Sequence, residues 1–417
     1  MVDRSHVGIV YPRANLDSTP LASAAELLAR HGYSVDLFTL TAAGQAPPQF
    51  DNQRIRFYSL GVEGLADVTT SGLRAAFRRL GWLHRIARAP LGRAYAAMAD
   101  GVARGSRFLR KPQPLHEHCR CLIGVDPDGL VLAYELANST PVAYYSFELL
   151  LSDEVRTPAE QRLKLQERRL SRQSPFVVVQ DADRGRLLAE DNQLQWERLV
   201  MVPNAPLGPA RRIRGTIWHT RFGLPADRRI LIHAGSLGKW TGIESILESV
   251  PTWPEPWVLV VHTRYDAESS PYVDALRRRA DPNRVFFSLK PVPRQGFDEL
   301  IDSADVGLAF YIRTGDSWLT QRNIQTIGLS SGKLGAYLRA GLPVIVNAST
   351  SVASTVEFNG CGIAAESAEH VGTALARIQA DYDRYSQRAC VFFDAHLDFG
   401  RTFRAVIDRI DRLDAPA

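Results

Sequence analysis

The sequence has little of what marks secreted, zinc-binding or membrane-spanning proteins. Among 417 residues there are 4 cysteines, Cys119, Cys121, Cys361 and Cys390, which lack both the density of a disulfide scaffold and the Cys-x-x-Cys spacing of a zinc site. No stretch approaches the ~20 apolar residues that cross a bilayer, and the first apolar run is too short for a signal peptide. We therefore expect a protein of the reducing cytoplasm.

Length and composition predict two globular domains. With 417 residues, of which 45% are apolar, the chain can form two cores in domains of roughly 100–200 residues each. The 24 prolines and the charged fraction of 23% argue against a long disordered segment.

Short apolar strands alternate with helices along the chain, which is typical of a parallel, doubly wound α/β sheet. The alternation begins at "HVGIVY", stops at the proline-rich "VMVPNAPLGPA" and restarts at "RRILIHAG". We predict Rossmann-like domains at 1–203 and 204–390, and a C-terminal helix at 391–417 that can pack back on the first domain. Ligands of such paired domains bind in the central cleft, at the carboxyl ends of the strands.

The net charge of +5 is spread unevenly along the chain, with an excess of basic residues in one segment. Residues 71–111 contain ten basic side chains against a single acid, Asp100, and apolar residues are interleaved with them. This pattern indicates amphipathic helices that contact an anionic membrane surface. A solvated helix pair, or a basic funnel for a phosphorylated ligand, explains it equally well. A nucleic-acid partner is disfavoured because no repeated aromatic platform accompanies the charge.

Two glycine- and serine-rich turns of the second half are candidate phosphate sites. In "HAGSLGKWTGIE", Gly235 and Ser236 end a strand and Lys239 precedes a helix, so backbone N–H groups can approach an anion. A tight strand-to-helix turn requires glycines for steric reasons as well. In "SSGKLGAYLRAG", Ser330 and Ser331 precede Lys333, a cation at the positive end of a helix, which an anion would stabilise. Alternatively, Lys333 extends into solvent.

Two acids of the first half follow strands and are candidate catalytic residues. Asp126 ends "CLIGVD" and Glu148 follows "AYYSF", where a carboxylate can orient or deprotonate a hydroxyl group of a bound ligand. Asp126 could instead only cap the helix that begins near Asp128. The acids Asp181 and Asp183 open a helix, and we interpret this stretch as an N-cap and not as a metal site.

Other candidates rest on weaker patterns. Tyr311 ends the strand "VGLAFY" and either contacts a nucleotide or packs in the core. Arg322 and Asn323 lie in a long polar stretch, predicted as a loop, of the kind that often binds ligands. A metal cluster of His116, His118 and the nearby cysteines is disfavoured, because alternation along a strand splits these side chains between faces. We predict no metal site.

The order of the motifs resembles the bacterial glycosyltransferases of the GT-B fold, especially family 4 of that group. The resemblance covers the chain from about residue 7 to the helices after residue 365. The matching stretches are "IGVDPDGL", "YYSFELL", "VPNAP", "HAGSLGKWTGIE", "DSADVGLAFY" and "SSGKLGAYLRAGLPVIVN".

The resemblance implies a nucleoside diphosphate sugar donor in the second half and a glycan or lipid-linked acceptor in the first. Lys333 would contact the donor diphosphate, with Gly235 and Ser236 beneath it, and no metal would be required. The resemblance also implies that transfer retains the anomeric configuration. The basic segment 71–111 favours the synthesis of cell-envelope polysaccharide or glycoconjugate at the inner membrane face.

Two positions depart from the family pattern. Where many relatives carry glutamates, one of which binds the ribose hydroxyls, this chain has Ala336 and Gly328. The alternative reading is therefore a noncatalytic protein of the same fold that binds a nucleotide sugar or accompanies a partner transferase.

Overall fold

The computed structural model describes residues 6–13, 19–39, 50, 52–59, 119–292, 294–314 and 321–413. The basic segment 71–111 and the histidines His116 and His118 lie outside the described residues. The expectations of membrane contact at that segment and of a split histidine–cysteine group therefore stay predictions. Within the described ranges, no helix is long and apolar enough to cross a membrane.

The first domain is built on a parallel sheet whose described strands lie in the order β3-β2-β1-β4-β5-β6-β7. These strands are β1 His6–Tyr11, β2 Ser34–Thr39, β3 Ile55–Ser59, β4 Cys119–Val125, β5 Val142–Tyr145, β6 Val177–Val179 and β7 Leu199–Met201. The α-helices between them are α1 Thr19–His31, α2 Asp126–Leu136, α3 Pro158–Ser171 and α4 Ala182–Asn192.

The second domain is built on a second parallel sheet, with its described strands in the order β10-β9-β8-β11-β12-β13. These strands are β8 Arg229–Gly235, β9 Trp257–Thr263, β10 Val285–Ser288, β11 Val306–Ala309, β12 Val344–Asn347 and β13 Gly362–Ala365. The helices are α5 Ile217–Phe222, α6 Ile243–Ser249, α7 Pro271–Arg279, α8 Arg294–Asp302, α9 Gln321–Gln325, α10 Gly332–Arg339, α11 Val352–Phe358, α12 Val371–Ala380, α13 Tyr382–Phe392, α14 Phe399–Thr402 and α15 Arg404–Asp411.

Both faces of each sheet are covered by helices, which is why the strands are continuously apolar. In β8, Ile230 and Ile232 point into one buried cluster while Leu231 points into another on the opposite face. In β1, Ile9 and Val10 divide in the same way between the two clusters of the first domain. The prediction of two doubly wound parallel sheets is confirmed.

The last helices return to the first domain. Phe399, Phe403 and Ile407 are buried in the same cluster as the β1 residue Ile9, and Arg120 Nε donates to the carbonyl of Ile410 at 2.9 Å. The chain therefore crosses between the domains twice, once through the segment 202–216, which carries neither helix nor strand, and once before α14.

The glycines of "IGVDPDGL" are explained by close packing of α2 on the sheet. A Cβ atom on Gly129 would lie 2.5 Å from the carbonyl oxygen of Val10, and one on Gly124 would lie 2.5 Å from the Cα of Leu130. Both approaches are far shorter than a carbon contact allows. This packing places Asp126, the first residue of α2, directly at the carboxyl end of β4.

The prediction of a long polar loop before Lys333 is wrong in its second half. Residues Gln321–Gln325 form the helix α9, because Asn323 and Ile324 are buried against other parts of the protein. The edge strands β3 and β7 are not predicted from the sequence, and Val200 and Met201 of β7 lie in the proline-rich stretch that is predicted as the interruption between the domains.

Candidate functional site

The turn after β8 and the start of α10 meet at the carboxyl end of the second sheet. Gly235 has a φ of 146°, a conformation that favours glycine, and a Cβ atom there would lie 3.6 Å from Cε of Lys333. His233 Nε2 lies 3.2 Å from the carbonyl oxygen of Ser236, and since that oxygen can only accept, the nitrogen carries the proton. The predicted residues Gly235, Ser236 and Lys333 therefore share one site.

Tyr311 and Ser331 complete this site. Ser331 is the N-cap of α10, where its Oγ accepts from Leu334 N at 3.3 Å, and the same Oγ lies 2.6 Å from Oη of Tyr311. Lys333 Nζ lies 4.8 Å from the centroid of the Tyr311 ring, within the range of a cation–π contact. The ring of Tyr311 therefore lies against the ammonium group of Lys333.

The electrostatics of this site favour an anion. Burial, with a further contribution from the Arg264 guanidinium, lowers the pKa of Lys333 to about 7. Arg264 directly follows β9, is exposed, and its backbone N–H donates to Gly235 O at 3.4 Å. Within the described part of the chain no ion pair joins Lys333 or Arg264 to a carboxylate. Two cations beside open backbone turns at strand ends are a typical anion site.

Sequence reasoning did not identify Arg264. The signal was present, because Arg264 is the first charged residue after the apolar strand "WVLVVHT" and therefore lies at the carboxyl edge of the sheet. Arg264 follows β9 and lies next to the turn after β8, and the sequence does not indicate a partner for its charge.

Ser330 and Lys239 lie at the margins of the site. The Ser330 carbonyl accepts from Asn204 Nδ2 at 2.9 Å, and Asn204 N donates to Leu329 O at 2.8 Å. The "VPNAP" stretch therefore holds this turn in place. Lys239 is exposed and begins the 3₁₀ turn Lys239–Thr241. Their contact with a ligand stays a prediction.

Gly328 is explained by backbone geometry. Its φ is 39°, and a Cβ atom would lie 2.1 Å from Oδ2 of Asp181 in the first domain. A glutamate cannot occupy this backbone position without displacing Asp181. The close approach of Asp181 therefore accounts for glycine, and for the lack of a glutamate, at this position.

Asp126 lies at the centre of a second, acidic site on the first domain. Its side chain is buried and its φ is 59°, a strained conformation for a non-glycine residue. Its Oδ1 accepts from the N–H groups of Phe147 at 2.8 Å and Glu148 at 2.9 Å, and its Oδ2 pairs with Arg13 Nη1 at 3.2 Å. The reading of Asp126 as a simple helix cap is wrong, because its carboxylate contacts the loop after β5.

The two acids have raised proton affinity. Burial raises the pKa of Asp126 to about 7, against the opposing field of Arg13. Burial also raises the pKa of Glu148, opposed by Arg184 and Arg13. Arg13 was not identified from the sequence, although it follows β1 by only two residues.

The acidic site and the cationic site face each other across the domain interface. The field of Glu148 contributes to the raised pKa of Tyr311, which burial chiefly causes. The loop that carries Glu148 also contacts the second domain directly, since Leu149 N donates to Asn323 Oδ1 at 2.8 Å. A cleft that presents carboxylates on one wall and cations on the other can hold a hydroxyl nucleophile opposite an anionic leaving group.

Arg322 and Asn323 connect the domains. Arg322 Nη2 pairs with Asp153 at 2.7 Å. Asn323 accepts from Leu149 N at 2.8 Å and donates to Leu149 O at 3.0 Å. These contacts explain why a polar stretch is partly buried. The prediction that Asp181 is a helix N-cap is confirmed, since it accepts from Arg184 N at 2.9 Å.

The described residues hold no group of three or more His, Cys, Asp or Glu side chains that could bind a metal ion. Cys119 and Cys121 are both buried in β4, and Cys119 Sγ donates to the carbonyl of His6 at 3.5 Å. Transfer without a metal stays a prediction.

The protein has two Rossmann-like domains, and its C-terminal helices pack back on the first of them. This architecture is the GT-B fold. Residues 320–407 match the family described as "Glucosyltransferase 3-like, C-terminal domain". No curated protein matches the chain by sequence.

Solved structures resemble the chain over nearly its whole length. The sucrose-phosphate synthase from Thermosynechococcus elongatus has a TM-score of 0.65 at 14% identity, covering 98% of this chain and 99% of that one. Anabaena HepE in complex with UDP-glucose has a TM-score of 0.65 at 12% identity, with 98% and 100% covered. WaaG, a glycosyltransferase of lipopolysaccharide biosynthesis, has a TM-score of 0.59 at 14% identity, with 99% and 100% covered. At these identities the likeness establishes the GT-B fold.

Proposed function

We propose that the protein is a glycosyltransferase that moves a sugar, most simply a hexose, from a nucleoside diphosphate donor to an acceptor hydroxyl. The observation that carries this proposal is the cationic turn of Lys333, Arg264 and Gly235, which faces the carboxylates of the first domain across the cleft. The family match of the C-terminal segment and a GT-B structure solved with UDP-glucose support it.

Each wall of the cleft has a distinct part in the proposed reaction. Negative charge grows on the departing diphosphate in the transition state, and Lys333 and Arg264 stabilise it in the role that a metal plays in other enzymes. Asp126 holds the loop that carries Glu148, and either carboxylate orients the acceptor hydroxyl or takes its proton. If the anomeric configuration is retained, the donor phosphate itself can accept that proton, and the carboxylates then mainly orient.

The setting we propose is the synthesis of envelope polysaccharide or glycoconjugate at the cytoplasmic face of the inner membrane. The support is the sequence of the basic segment 71–111. Neutralising Arg78, Arg79, Arg85 and Arg88 should abolish binding to vesicles that contain anionic lipid while neutral vesicles show no binding in either case. Equal binding of the variant and the wild type to anionic vesicles contradicts this setting.

Saturation-transfer NMR with a panel of nucleoside diphosphates and their sugar conjugates tests the function. We expect nucleotides of one base to give a saturation-transfer signal with the wild type and with Lys290→Ala, which is a surface control. The signal with Lys333→Ala should be much weaker. Absence of binding at millimolar concentration in the wild type contradicts the proposal. Binding of a nucleotide sugar without turnover by water or by any glycan acceptor favours the noncatalytic alternative.

A further inference from the structure

The turn that shapes the cationic site is bonded to the first domain through one carboxylate. Asp181, the N-cap of α4, uses Oδ1 to accept from Arg184 N at 2.9 Å. Its Oδ2 accepts from the backbone N–H of Leu329 in the second domain, also at 2.9 Å. Leu329 lies in the 3₁₀ turn Gly328–Ser330, immediately before the N-cap of α10. A single side chain therefore caps the start of a helix in one domain and fixes a turn in the other.

Arg184 makes the second connection. It is fully buried on α4, and its guanidinium donates to Asn323 Oδ1 at 2.9 Å and to the carbonyl of Thr326 at 3.4 Å in the second domain. It also donates to the carbonyl of Phe147 in its own domain. Phe147 N–H is in turn held by Asp126. One planar side chain thus contacts both the acceptor-side loop and the segment that leads to the cationic turn.

Gly328 supports the same arrangement from the other side. Its positive φ and the absence of a Cβ atom let Asp181 approach the turn closely. The segment from Asn323 to Leu329 is thus held at both ends by α4, with Arg184 at the first end and Asp181 at the second. Bonds to charged groups are stronger than those between neutral groups, which suits a joint between domains.

We infer that Asp181 and Arg184 are positioning residues for transfer, which set the donor turn of the second domain against the acceptor loop of the first. This inference rests on the proposed function. Neither side chain needs to contact a substrate. Their effect is to fix the place of Ser331 and Lys333 relative to Glu148, since a small displacement of reacting groups has a large effect on transfer.

The same helix offers a matched control. Asp183 and Arg186 form an exposed ion pair at 3.2 Å, two residues along from the positioning pair. Asp183→Asn and Arg186→Lys therefore make the same chemical changes on the same helix without touching the second domain. Asp181→Asn is nearly isosteric and keeps one oxygen for the helix cap, so it should fold. Arg184→Lys keeps the charge but cannot make the forked set of bonds.

The experiment measures the affinity of the full chain for UDP, ADP and GDP by calorimetry and the amide exchange of the ligand-free protein by mass spectrometry. We expect Asp181→Asn and Arg184→Lys to weaken binding of the preferred diphosphate about tenfold, because the ligand must then order the turn before Ser331 and Lys333 without one charge-assisted hydrogen bond that holds it in the wild type. Peptides that cover residues 323–331 should exchange faster, while peptides of β8 and β9 stay unchanged. Asp183→Asn and Arg186→Lys should match the wild type in both measurements.

The outcomes separate the inference from the proposed function. If the wild type binds none of the diphosphates, the proposed function fails and the inference fails with it. If the wild type binds one of them and the positioning variants, still folded at the assay temperature, bind it within twofold of the wild type, the inference alone is overturned. Faster exchange over the whole second domain would indicate general destabilisation and would also contradict it.

Discussion

The two walls of the cleft treat charge in opposite ways. On the second domain, Lys333 and Arg264 lie together without a carboxylate partner in the described part of the chain. On the first domain, Asp126 is buried but paired with Arg13 and two backbone N–H groups. The charges of Lys333 and Arg264 are thus left for a ligand to neutralise, whereas the charge of Asp126 is paired within the protein.

The difference indicates which wall depends on a ligand. Lys333 and Arg264 repel each other, and a bound anion compensates for this repulsion. Substitutions on the cationic wall should therefore change the affinity for an anionic ligand most. On the acidic wall both carboxylate oxygens of Asp126 already have partners, so Asp126 should matter for stability before it matters for affinity. Each prediction below tests one side of this contrast.

The largest expected effect is the loss of stability in Asp126→Ala. The change leaves the N–H groups of Phe147 and Glu148 without their acceptor and removes one of the two carboxylates that pair with Arg13. We expect the free energy of unfolding to fall by about 3 kcal/mol. Urea denaturation measures it. Asp128→Ala is the control, because Asp128 pairs with the same Arg13 but is 37% exposed, and it should cost less than about 1 kcal/mol. Equal losses in the two variants would show that Asp126 does not anchor the loop.

The cationic wall should show the reverse pattern. Lys333→Ala removes a charge-assisted contact, so affinity for a nucleoside diphosphate should fall by about 2–3 kcal/mol, or roughly 30- to 150-fold. Thermal stability should change little or rise, because a partly buried cation is removed. Isothermal calorimetry measures the affinity. Lys290→Ala, on an exposed lysine paired with Glu268 at 3.3 Å, should bind as the wild type does. An unchanged affinity in Lys333→Ala would remove the basis for a donor site at this turn.

The variant Gly328→Ala tests whether the close contact between the domains at Asp181 stabilises the protein. Gly328→Ala introduces a Cβ atom 2.1 Å from Asp181 Oδ2 at a φ of 39°, which we expect to cost about 2 kcal/mol of stability. Gly332→Ala is the control, since a Cβ atom there meets nothing within 4 Å. Chemical denaturation of both variants gives the comparison. If the two variants lose the same stability, the close approach of Asp181 is not what requires glycine.

The local placement of several residues of this candidate site could be predicted from the sequence. Gly235, Ser331 and Lys333 each follow from a strand end or a helix start, and local patterns determine such ends. The same holds for Asp181 as an N-cap, which depends only on the residues that follow it.

Contacts between segments that are distant in the chain could not be predicted. The second bond of Asp181, the buried position of Arg184 and the pairing of Asp126 with Arg13 depend on how distant segments pack together. The same reason explains Gly328, whose meaning is visible only with Asp181 beside it. A single sequence carries no record of such pairs, because neither member has a distinctive neighbour in the chain.

The smallest expected effect, taken over a single pH unit, is on the pH dependence of donor affinity. Since the pKa of Lys333 is lowered to about 7, the ligand-free lysine loses its proton as the pH rises above that value. A bound diphosphate favours the charged form, and its own last proton is already lost near pH 6. Affinity should therefore fall by up to about tenfold per pH unit above 7, until the pKa of the complex is reached.

Calorimetry from pH 7 to 9 measures this slope, and Lys333→Arg is the matched variant because guanidinium stays charged throughout. His233 does not contribute, since burial and Lys333 keep its pKa well below the ordinary value. Asp126, with a pKa raised to about 7, affects both proteins alike. A flat profile in Lys333→Arg with a falling one in the wild type assigns the proton to Lys333. The same slope in both would assign it to the acidic wall and reverse the contrast drawn between the two.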